Sequence, residues 1–158
     1  MSDLHVLADH IAITSVIREV ARAFDEKLHE TLLPRCFTAD ARILYRLRGE
    51  DIDVSMPDGI ATFRHVHERC YWTQHLVSPQ VIELGSDAAR AVTPVHAVHI
   101  QLREDGTRSQ WLIGATYYDE LVRSEDGWRI ADRSAVCPHV EGDFLETGVR
   151  LFTRLPDY

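Results

Sequence analysis

The sequence predicts an α+β fold, in which helices from the first half pack on a strongly curved antiparallel sheet built by the second half. Early in the chain, apolar residues recur every three or four positions, the period of an amphipathic helix. Later stretches are long, rich in Val, Ile, Thr, Trp and Tyr, and separated by Asp-Gly pairs, a pattern typical of strands joined by hairpins. Helices followed by a meander indicate the α+β class. We expect the 158 residues to form a single domain, 1–158.

Two helices are predicted at the start of the chain. The first covers residues 4–24, where the apolar side chains share one face. The second is short and covers residues 26–33. Pro34 is expected to end it, because proline lacks the N–H that continues a helix.

The middle of the chain predicts one strand, one loop and one helix. Residues 41–47 have the composition of a strand. Residues 49–59 are polar and contain Pro57, so they are predicted to form the longest loop. A third helix is expected over residues 58–72, with Ile60, Phe63, Val66 or His67, and Cys70 on one face.

The second half predicts a meander of strands over residues 76–84, 88–102, 109–122 and 128–135. Two of these strands are unusually long, which favours a curved sheet, and Pro94 marks an expected bulge. If Asp105-Gly106 is a two-residue turn, His99 lies beside Leu112 and Thr93 beside Tyr118.

This register assigns side chains to the two faces of the predicted sheet. Small residues with a few polar groups suit a ligand cavity; the face with this character carries His99, Thr116, Tyr118 and Arg133. The opposite face is apolar and should be covered by helices or by a second chain; it carries Val98, Ile100, Trp111, Ile113, Trp128 and Ile130.

Composition and charge exclude several function classes. The formal net charge of −8 disfavours nucleic acid as a partner. No apolar run approaches the roughly 20 residues that span a bilayer, so no membrane is expected. The N-terminus lacks the features of a signal peptide. Three cysteines without CxxC spacing indicate reduced thiols rather than disulfides, and a cytoplasmic location is expected.

Metal and nucleophile motifs are missing from the sequence. The pair His65 and His67 diverges in a helix, and the pair His96 and His99 points to opposite faces of a strand. The chain has no HExxH, GxSxG or glycine-rich phosphate loop. We therefore expect neither a metal nor another cofactor.

General acid–base chemistry is the remaining possibility. A carboxylate bonded to an imidazole fixes its tautomer and raises its basicity. Asp25 at a helix end and His75 before an apolar pair could form such a dyad. The alternative is a surface aspartate and a structural core histidine, while Tyr45 can be an ordinary strand residue and Arg133 an ion-paired one.

The order of segments resembles the SnoaL-like, nuclear-transport-factor-2-like superfamily over nearly the whole chain. The segment from Tyr117-Tyr118-Asp119 to Asp126-Gly127-Trp128 is similar to the last hairpin of that superfamily. The resemblance implies a cone of helices against a curved sheet that encloses a deep cavity. It also implies a homo-oligomer, a trimer or alternatively a dimer.

Three further segments resemble the dehydratase branch of this superfamily. Thr73-Gln74-His75 is similar to the segment with the catalytic histidine of scytalone dehydratase, and Arg42-Ile43-Leu44-Tyr45-Arg46 to its strand with a substrate-orienting tyrosine. Asp25 stands where the aspartate that supports the histidine would be. His99 matches the second active-site histidine, with His96 as the alternative. The pairing of an aspartate near the end of helix 1 with a histidine in this place also resembles the arrangement in hexachlorocyclohexane dehydrochlorinase.

The resemblance therefore implies a set of site residues and an activity. The implied catalytic residues are Asp25, His75, Tyr45 and His99; the implied substrate-binding residues are Phe24, Trp72, Thr116, Tyr118 and Arg133. Phe24, Thr116 and Tyr118 depart from the residues of scytalone dehydratase. The implied activity is a cofactor-independent elimination on a small hydrophobic, cyclic substrate. Alternatives are an isomerase or hydrolase of the same fold, or a non-catalytic domain such as an oxygenase small subunit.

Overall fold

The computed structural model describes residues 3–47 and 51–144, which form three helices and seven strands. The α+β class and the curved sheet under N-terminal helices are confirmed. In chain order the elements are α1 (Asp3–Asp25), α2 (His29–Cys36), β1 (Phe37–Arg46), β2 (Asp51–Ser55), α3 (Asp58–His67), β3 (Trp72–Val77), β4 (Val81–Leu84), β5 (Ala88–Leu102), β6 (Arg108–Ser124) and β7 (Gly127–Gly142).

The bounds of two helices differ from the prediction. Helix α2 begins at His29 and continues through Pro34 to Cys36. A proline is tolerated there because the helix is short and few hydrogen bonds depend on the missing N–H. Helix α3 ends at His67, and Trp72 instead begins β3.

The strands form one mixed sheet in the order β2-β1-β7-β6-β5-β3, with β4 also paired to β5. The predicted sheet was entirely antiparallel, which is wrong for one pair, because β1 lies parallel to β7. Strand β2 occupies much of the expected loop at residues 49–59. The single strand expected over residues 76–84 is two strands, β3 and β4. Strand β7 continues past residue 135 to Gly142.

The predicted register between β5 and β6 is wrong by one residue. Leu102 faces Arg108, so the connection is a five-residue loop rather than a two-residue turn. The Asp105 carboxylate shapes this loop, because it accepts hydrogen bonds from the backbone N–H of Thr107 (2.9 Å) and from its hydroxyl (2.7 Å). A shift of one residue moves every side chain of a strand to the opposite face.

The corrected register exchanges the two predicted faces of β6. Trp111 lies opposite His99, and Tyr117 lies opposite Thr93, on the side covered by helices. Tyr118 lies on the outer side and is 48% exposed. Pro94 causes no bulge against β6; the irregularities occur between β6 and β7, at Gly114/Thr116 and Glu120/Leu121.

The inner face of the sheet carries the hydrophobic core. Trp128 and Ile130, both expected on the apolar face, are buried under the helices. The outer face exposes Leu76, Tyr118 and Val136. Association into a trimer or dimer stays a prediction, which light scattering can test. No helix in the described ranges combines the length and apolarity required to traverse a lipid bilayer.

Helix α1 is fixed on the sheet at its N-terminal half by Asp9. The Asp9 carboxylate accepts two hydrogen bonds from the Arg123 guanidinium (2.9 and 2.8 Å) and one from the Trp128 indole (2.9 Å). These bonds lower the pKa of Asp9 to about 2. The anchored helix carries Asp25 at its opposite end, which sets the position of that carboxylate over β3.

Candidate active site

Asp25 and His75 form a hydrogen-bonded pair where α1 ends beside β3. One carboxylate oxygen of Asp25 lies 2.7 Å from Nδ1 of His75, and the other accepts the backbone N–H of His75 at 3.0 Å. The His75 side chain is 5% exposed and that of Asp25 is 26% exposed. Two bonds to one carboxylate fix its plane, so the imidazole is held with Nδ1 as donor and Nε2 directed away from Asp25.

Packing between α1 and β3 creates this contact. The hydroxyl of Thr73 donates to the carbonyl oxygen of Phe24 at 3.4 Å, one residue before Asp25. Because strand side chains alternate, Thr73 and His75 point to the same inner side of β3. The ring of Phe24 lies 5.3 Å from the ring of His75. The predicted contact between Asp25 and His75 is therefore present, and its catalytic role stays a proposal.

A cavity of about 60 Å³ lies between the helices and the inner face of the sheet. Most of its walls are apolar, and its polar groups are imidazoles and tyrosine hydroxyls. The lining residues are Phe24, Tyr45, Leu47, Ile52, Phe63, Val66, His67, His75, Val95, Ala97, His99, Trp111, Ile113, Ala115, Tyr117 and Cys137. Such a lining favours small hydrophobic ligands with few hydrogen-bonding groups.

Four histidines from four elements form a connected cluster at one end of the cavity. Nε2 of His29 lies 3.0 Å from Nδ1 of His67. Nδ1 of His99 lies 3.3 Å from the carbonyl oxygen of Trp111, to which it donates. The rings of His75 and His99 are 5.4 Å apart, in an edge-to-face arrangement.

Burial keeps three of these histidines, His29, His67 and His99, neutral. It lowers the pKa of His29 to about 4 and that of His99 to about 3. The pKa of His67 also lies well below its usual range, mainly because of burial. These imidazoles are therefore uncharged at neutral pH and act as one donor and one acceptor each.

The sheet holds a second polar centre around Arg133. Its guanidinium donates to both carboxylate oxygens of Asp119, at 2.6 and 2.8 Å, and lies 4.3 Å from the centre of the Tyr117 ring. Nη1 of Arg133 and the hydroxyl of Tyr45 are both buried and make no hydrogen bond within the described part of the chain. Burial raises the pKa of Tyr45, so its hydroxyl stays protonated.

The structure brings together some of the predicted site residues and separates others. Phe24, Tyr45, His75 and His99 line the cavity, and Asp25 supports His75 from outside it. His96, the alternative to His99, is exposed on the outer side of β5.

Four predicted substrate-binding residues lie outside the cavity lining, which corrects the prediction. Trp72 alternates with Thr73 and so occupies the outer side of β3. Thr116 and Tyr118 are on the outer side of β6 because of the one-residue register error. Arg133 does point inward, but it is fully buried beneath Tyr117 and paired with Asp119.

Several cavity residues were missed by the sequence prediction. Trp111 and Tyr117 were assigned to the wrong face or ignored, because the turn length was wrong. His67 could have been found, since it follows Phe63 by four residues and shares its helix face. His29 carries no comparable signal, because it begins a short helix whose start was misplaced.

Comparisons with known proteins place this geometry in a family. The family model of the SnoaL-like domain matches residues 5–134. No curated protein matches the chain significantly in sequence. Among solved structures, the Kfla4162 protein of Kribbella flavida is similar with a TM-score of 0.77 and 26% identity, over 86% of this chain and 95% of that one.

Two further structures share the fold at lower identity. Hexachlorocyclohexane dehydrochlorinase LinA-type3 of Novosphingobium barchaimii LL02 aligns with a TM-score of 0.73 and 20% identity, over 96% of this chain and 99% of its own. A proposed scytalone dehydratase of Novosphingobium aromaticivorans aligns with a TM-score of 0.74 and 18% identity, over 93% of this chain and 95% of its own. The family match covers most of the chain and agrees with the helix-on-curved-sheet architecture. The chain belongs to the SnoaL-like domain family.

Proposed function

We propose that this protein is a cofactor-independent lyase, which eliminates water or a halide from a small hydrophobic, cyclic substrate. The observation that carries the proposal is the 2.7 Å contact between Asp25 and His75, with the imidazole facing an apolar cavity. A base held in this way can remove a proton from carbon next to an activating carbonyl or ring.

His75 is the proposed general base. Its Nδ1–H donates to Asp25, so Nε2 carries the lone pair and faces the cavity side. When Nε2 takes the substrate proton, the imidazole becomes a cation, and the adjacent carboxylate stabilises it. One well-placed proton transfer of this kind contributes about 10²–10⁴-fold to the rate.

Tyr45 is better suited than His99 to donate a proton to the leaving group. Its buried hydroxyl is protonated; Tyr117 and Arg133 lie near it, but neither meets it in good hydrogen-bond geometry, so its O–H is free to donate. His99 uses its single N–H on the carbonyl of Trp111, and its pKa of about 3 leaves Nε2 as an acceptor. We assign His99 the role of accepting a hydrogen bond from a substrate hydroxyl.

The cavity wall supports the substrate class. Aromatic rings of Phe24, Phe63 and Trp111 line the space and suit a flat or cyclic apolar ligand. The structural similarity to a hexachlorocyclohexane dehydrochlorinase is consistent with halide as a second leaving group.

A panel of small cyclic β-hydroxycarbonyl compounds and chlorinated cyclohexanes tests the proposal. Turnover is followed by the absorbance of the new double bond and by chloride release, for the wild type and for His75→Ala. We expect at least one compound to be converted by the wild type and not by the variant, with both proteins folded by circular dichroism. Equal conversion by both proteins would contradict the role of His75.

A further inference from the structure

One nitrogen from each of three cavity histidines converges on a common point. The ligand atoms of His67, His75 and His99 all lie within 4.8 Å of one another. The three residues come from α3, β3 and β5, so no sequence spacing could reveal the group. His67 and His99 are buried, and the side chain of His75 is 5% exposed.

Each of these imidazoles has its Nδ1 engaged on the side away from the group. His75 is bonded to Asp25 at 2.7 Å, His99 to the carbonyl of Trp111 at 3.3 Å, and His67 to His29 at 3.0 Å. Metal-ligating histidines characteristically donate their second N–H to a carboxylate, a carbonyl or a similar acceptor. The carboxylate and the carbonyl can only accept, so His75 and His99 carry the proton on Nδ1 and have Nε2 as the free acceptor. His67 has the same tautomer when its Nδ1–H donates to Nε2 of His29.

Three converging acceptors need an electrophile between them. In His75 and His99 the ring nitrogen bonded to Asp25 or to the Trp111 carbonyl is Nδ1, which leaves Nε2 of each ring available to a ligand. Three neutral imidazoles with one open position are a common ligand set for Zn²⁺, which prefers nitrogen at about 2.0–2.1 Å in a tetrahedral arrangement. Ligands of such a site lie about 3.3 Å apart, so small ring rotations close the observed triangle.

We propose that His67, His75 and His99 bind a divalent transition-metal ion of the Zn²⁺ type, with its fourth position open to the cavity. The Asp25 carboxylate accepts a hydrogen bond from the ligand His75 and supplies negative charge next to it. His29 is hydrogen-bonded to the ligand His67 and orients its ring. The proposal goes beyond the elimination activity, because a bound ion takes the same lone pair of His75 that acts as the base. Metal binding and base catalysis are then mutually exclusive states of one site.

Metal titration of the metal-free full chain tests the proposal without any substrate. Zn²⁺ is followed by calorimetry, and Co²⁺ by its visible absorption, which is strong for a tetrahedral site. We expect one ion per chain and a tetrahedral Co²⁺ spectrum. An octahedral spectrum, or no binding above that of an exposed histidine, would overturn the proposal even if every variant below failed to fold.

Variants then assign the ligands. His99→Gln and His67→Gln should each abolish the tetrahedral Co²⁺ spectrum. His29→Ala should weaken binding about 10–100-fold, as is typical for partners that orient a ligand. The control is His96→Ala, three residues from His99 on the same strand but on its outer side, and it should bind as the wild type does. Unchanged binding in His99→Gln, or lost binding in His96→Ala, would contradict the assignment.

The outcome is separable from that of the proposed elimination. A wild type that binds no metal but converts a substrate through His75 refutes only the metal site. A wild type that binds Zn²⁺ through these residues but converts nothing in the panel refutes only the elimination. If both hold, Zn²⁺ should inhibit turnover in the concentration range of its binding.

Discussion

The pairs Asp119–Arg133 and Asp25–His75 join a carboxylate to a basic side chain at nearly the same distance, 2.6 and 2.7 Å. Both partners of the first pair are completely buried, whereas Asp25 keeps 26% of its side chain exposed and His75 faces a cavity. Arg133 is charged at every accessible pH, so its interaction with Asp119 is permanent. His75 becomes charged only when it takes a proton.

This difference separates a structural pair from a pair that can do chemistry. A permanent interaction stabilises the fold equally before and after any reaction step. An interaction that strengthens when a proton arrives stabilises the product of proton transfer more than the reactant, and only such differential stabilisation speeds a reaction. Breaking the Asp25–His75 pair should therefore reduce turnover, whereas breaking the Asp119–Arg133 pair should reduce stability.

The largest expected effect is on turnover, from Asp25→Asn. Asparagine keeps the shape of the side chain but removes the charge that supports the imidazolium of His75. We expect kcat to fall about 10²–10⁴-fold, with substrate Kd and melting temperature nearly unchanged. The neighbouring Glu26→Gln, on the exposed side of the helix end, is the matched control and should keep full activity. A fall of only twofold for Asp25→Asn would remove the distinction between the pairs.

The next effect is on stability, from Asp119→Asn. This change leaves the buried charge of Arg133 without its partner, which costs about 3–5 kcal/mol of unfolding free energy. Urea denaturation measures the loss. The exposed pair of the adjacent Glu120 with Arg90 provides the control, because Glu120→Gln should cost under about 1 kcal/mol. Equal losses for the two variants would show that burial of Arg133 does not matter.

A smaller effect is expected from acid. The unfolded chain protonates histidine near pH 6.5, whereas native His29 stays neutral to about pH 4. The unfolded state therefore binds more protons between these values. Stability should fall as pH decreases through this window, by up to about 1.4 kcal/mol per pH unit for this residue. His29→Gln should flatten the slope measured by urea denaturation as the pH falls from about 6.5 to about 4.

Exposed His96 is the control for this pH prediction. His96→Gln should leave the slope as steep as in the wild type, since this side chain is solvated in both states. A slope that is insensitive to His29→Gln but sensitive to His96→Gln would contradict the buried, neutral state of His29.

The smallest effect is expected from Tyr118→Ala, which tests which side chains of β6 face the cavity and which face outward. Tyr118 is 48% exposed on the outer side of β6, whereas Tyr117 lines the cavity. A surface change of this kind alters unfolding free energy by about 0.5 kcal/mol or less, and turnover should be unaffected. A strong loss of substrate affinity in Tyr118→Ala would instead favour the register that the sequence predicted.

Local patterns predicted the elements well, because they depend on neighbours in sequence. The range of β5 was predicted at both ends. The period of α1 predicted the helix and the burial of Ile17, Val20 and Phe24, but Leu4, Leu7 and Ile11 of the same predicted face are exposed. The two faces of β6 were predicted wrongly, because they depend on the length of the loop before it. The hydrogen bonds from Thr107 to the Asp105 side chain set that length. The parallel pairing of β1 with β7 joins segments about 90 residues apart and leaves no local signal.

The candidate site shows the same limit. Asp25 and His75 are 50 residues apart, and family resemblance rather than periodicity suggested their contact. His29 was missed because a histidine in a helix carries no mark of its neighbours across the core. His67 shares the helix face of Phe63, but that face alone did not assign it to the site. Geometry of the fold, not residue type, is what turns these histidines into one cluster.

The central claim is that His75 removes a proton from carbon. The most direct test compares elimination rates from a converted substrate with hydrogen or with deuterium at the carbon next to its activating group, for the wild type and His75→Ala. We expect a primary isotope effect on the wild-type rate and no turnover above background in the folded variant. Turnover by His75→Ala with the same isotope effect would show that another group is the base.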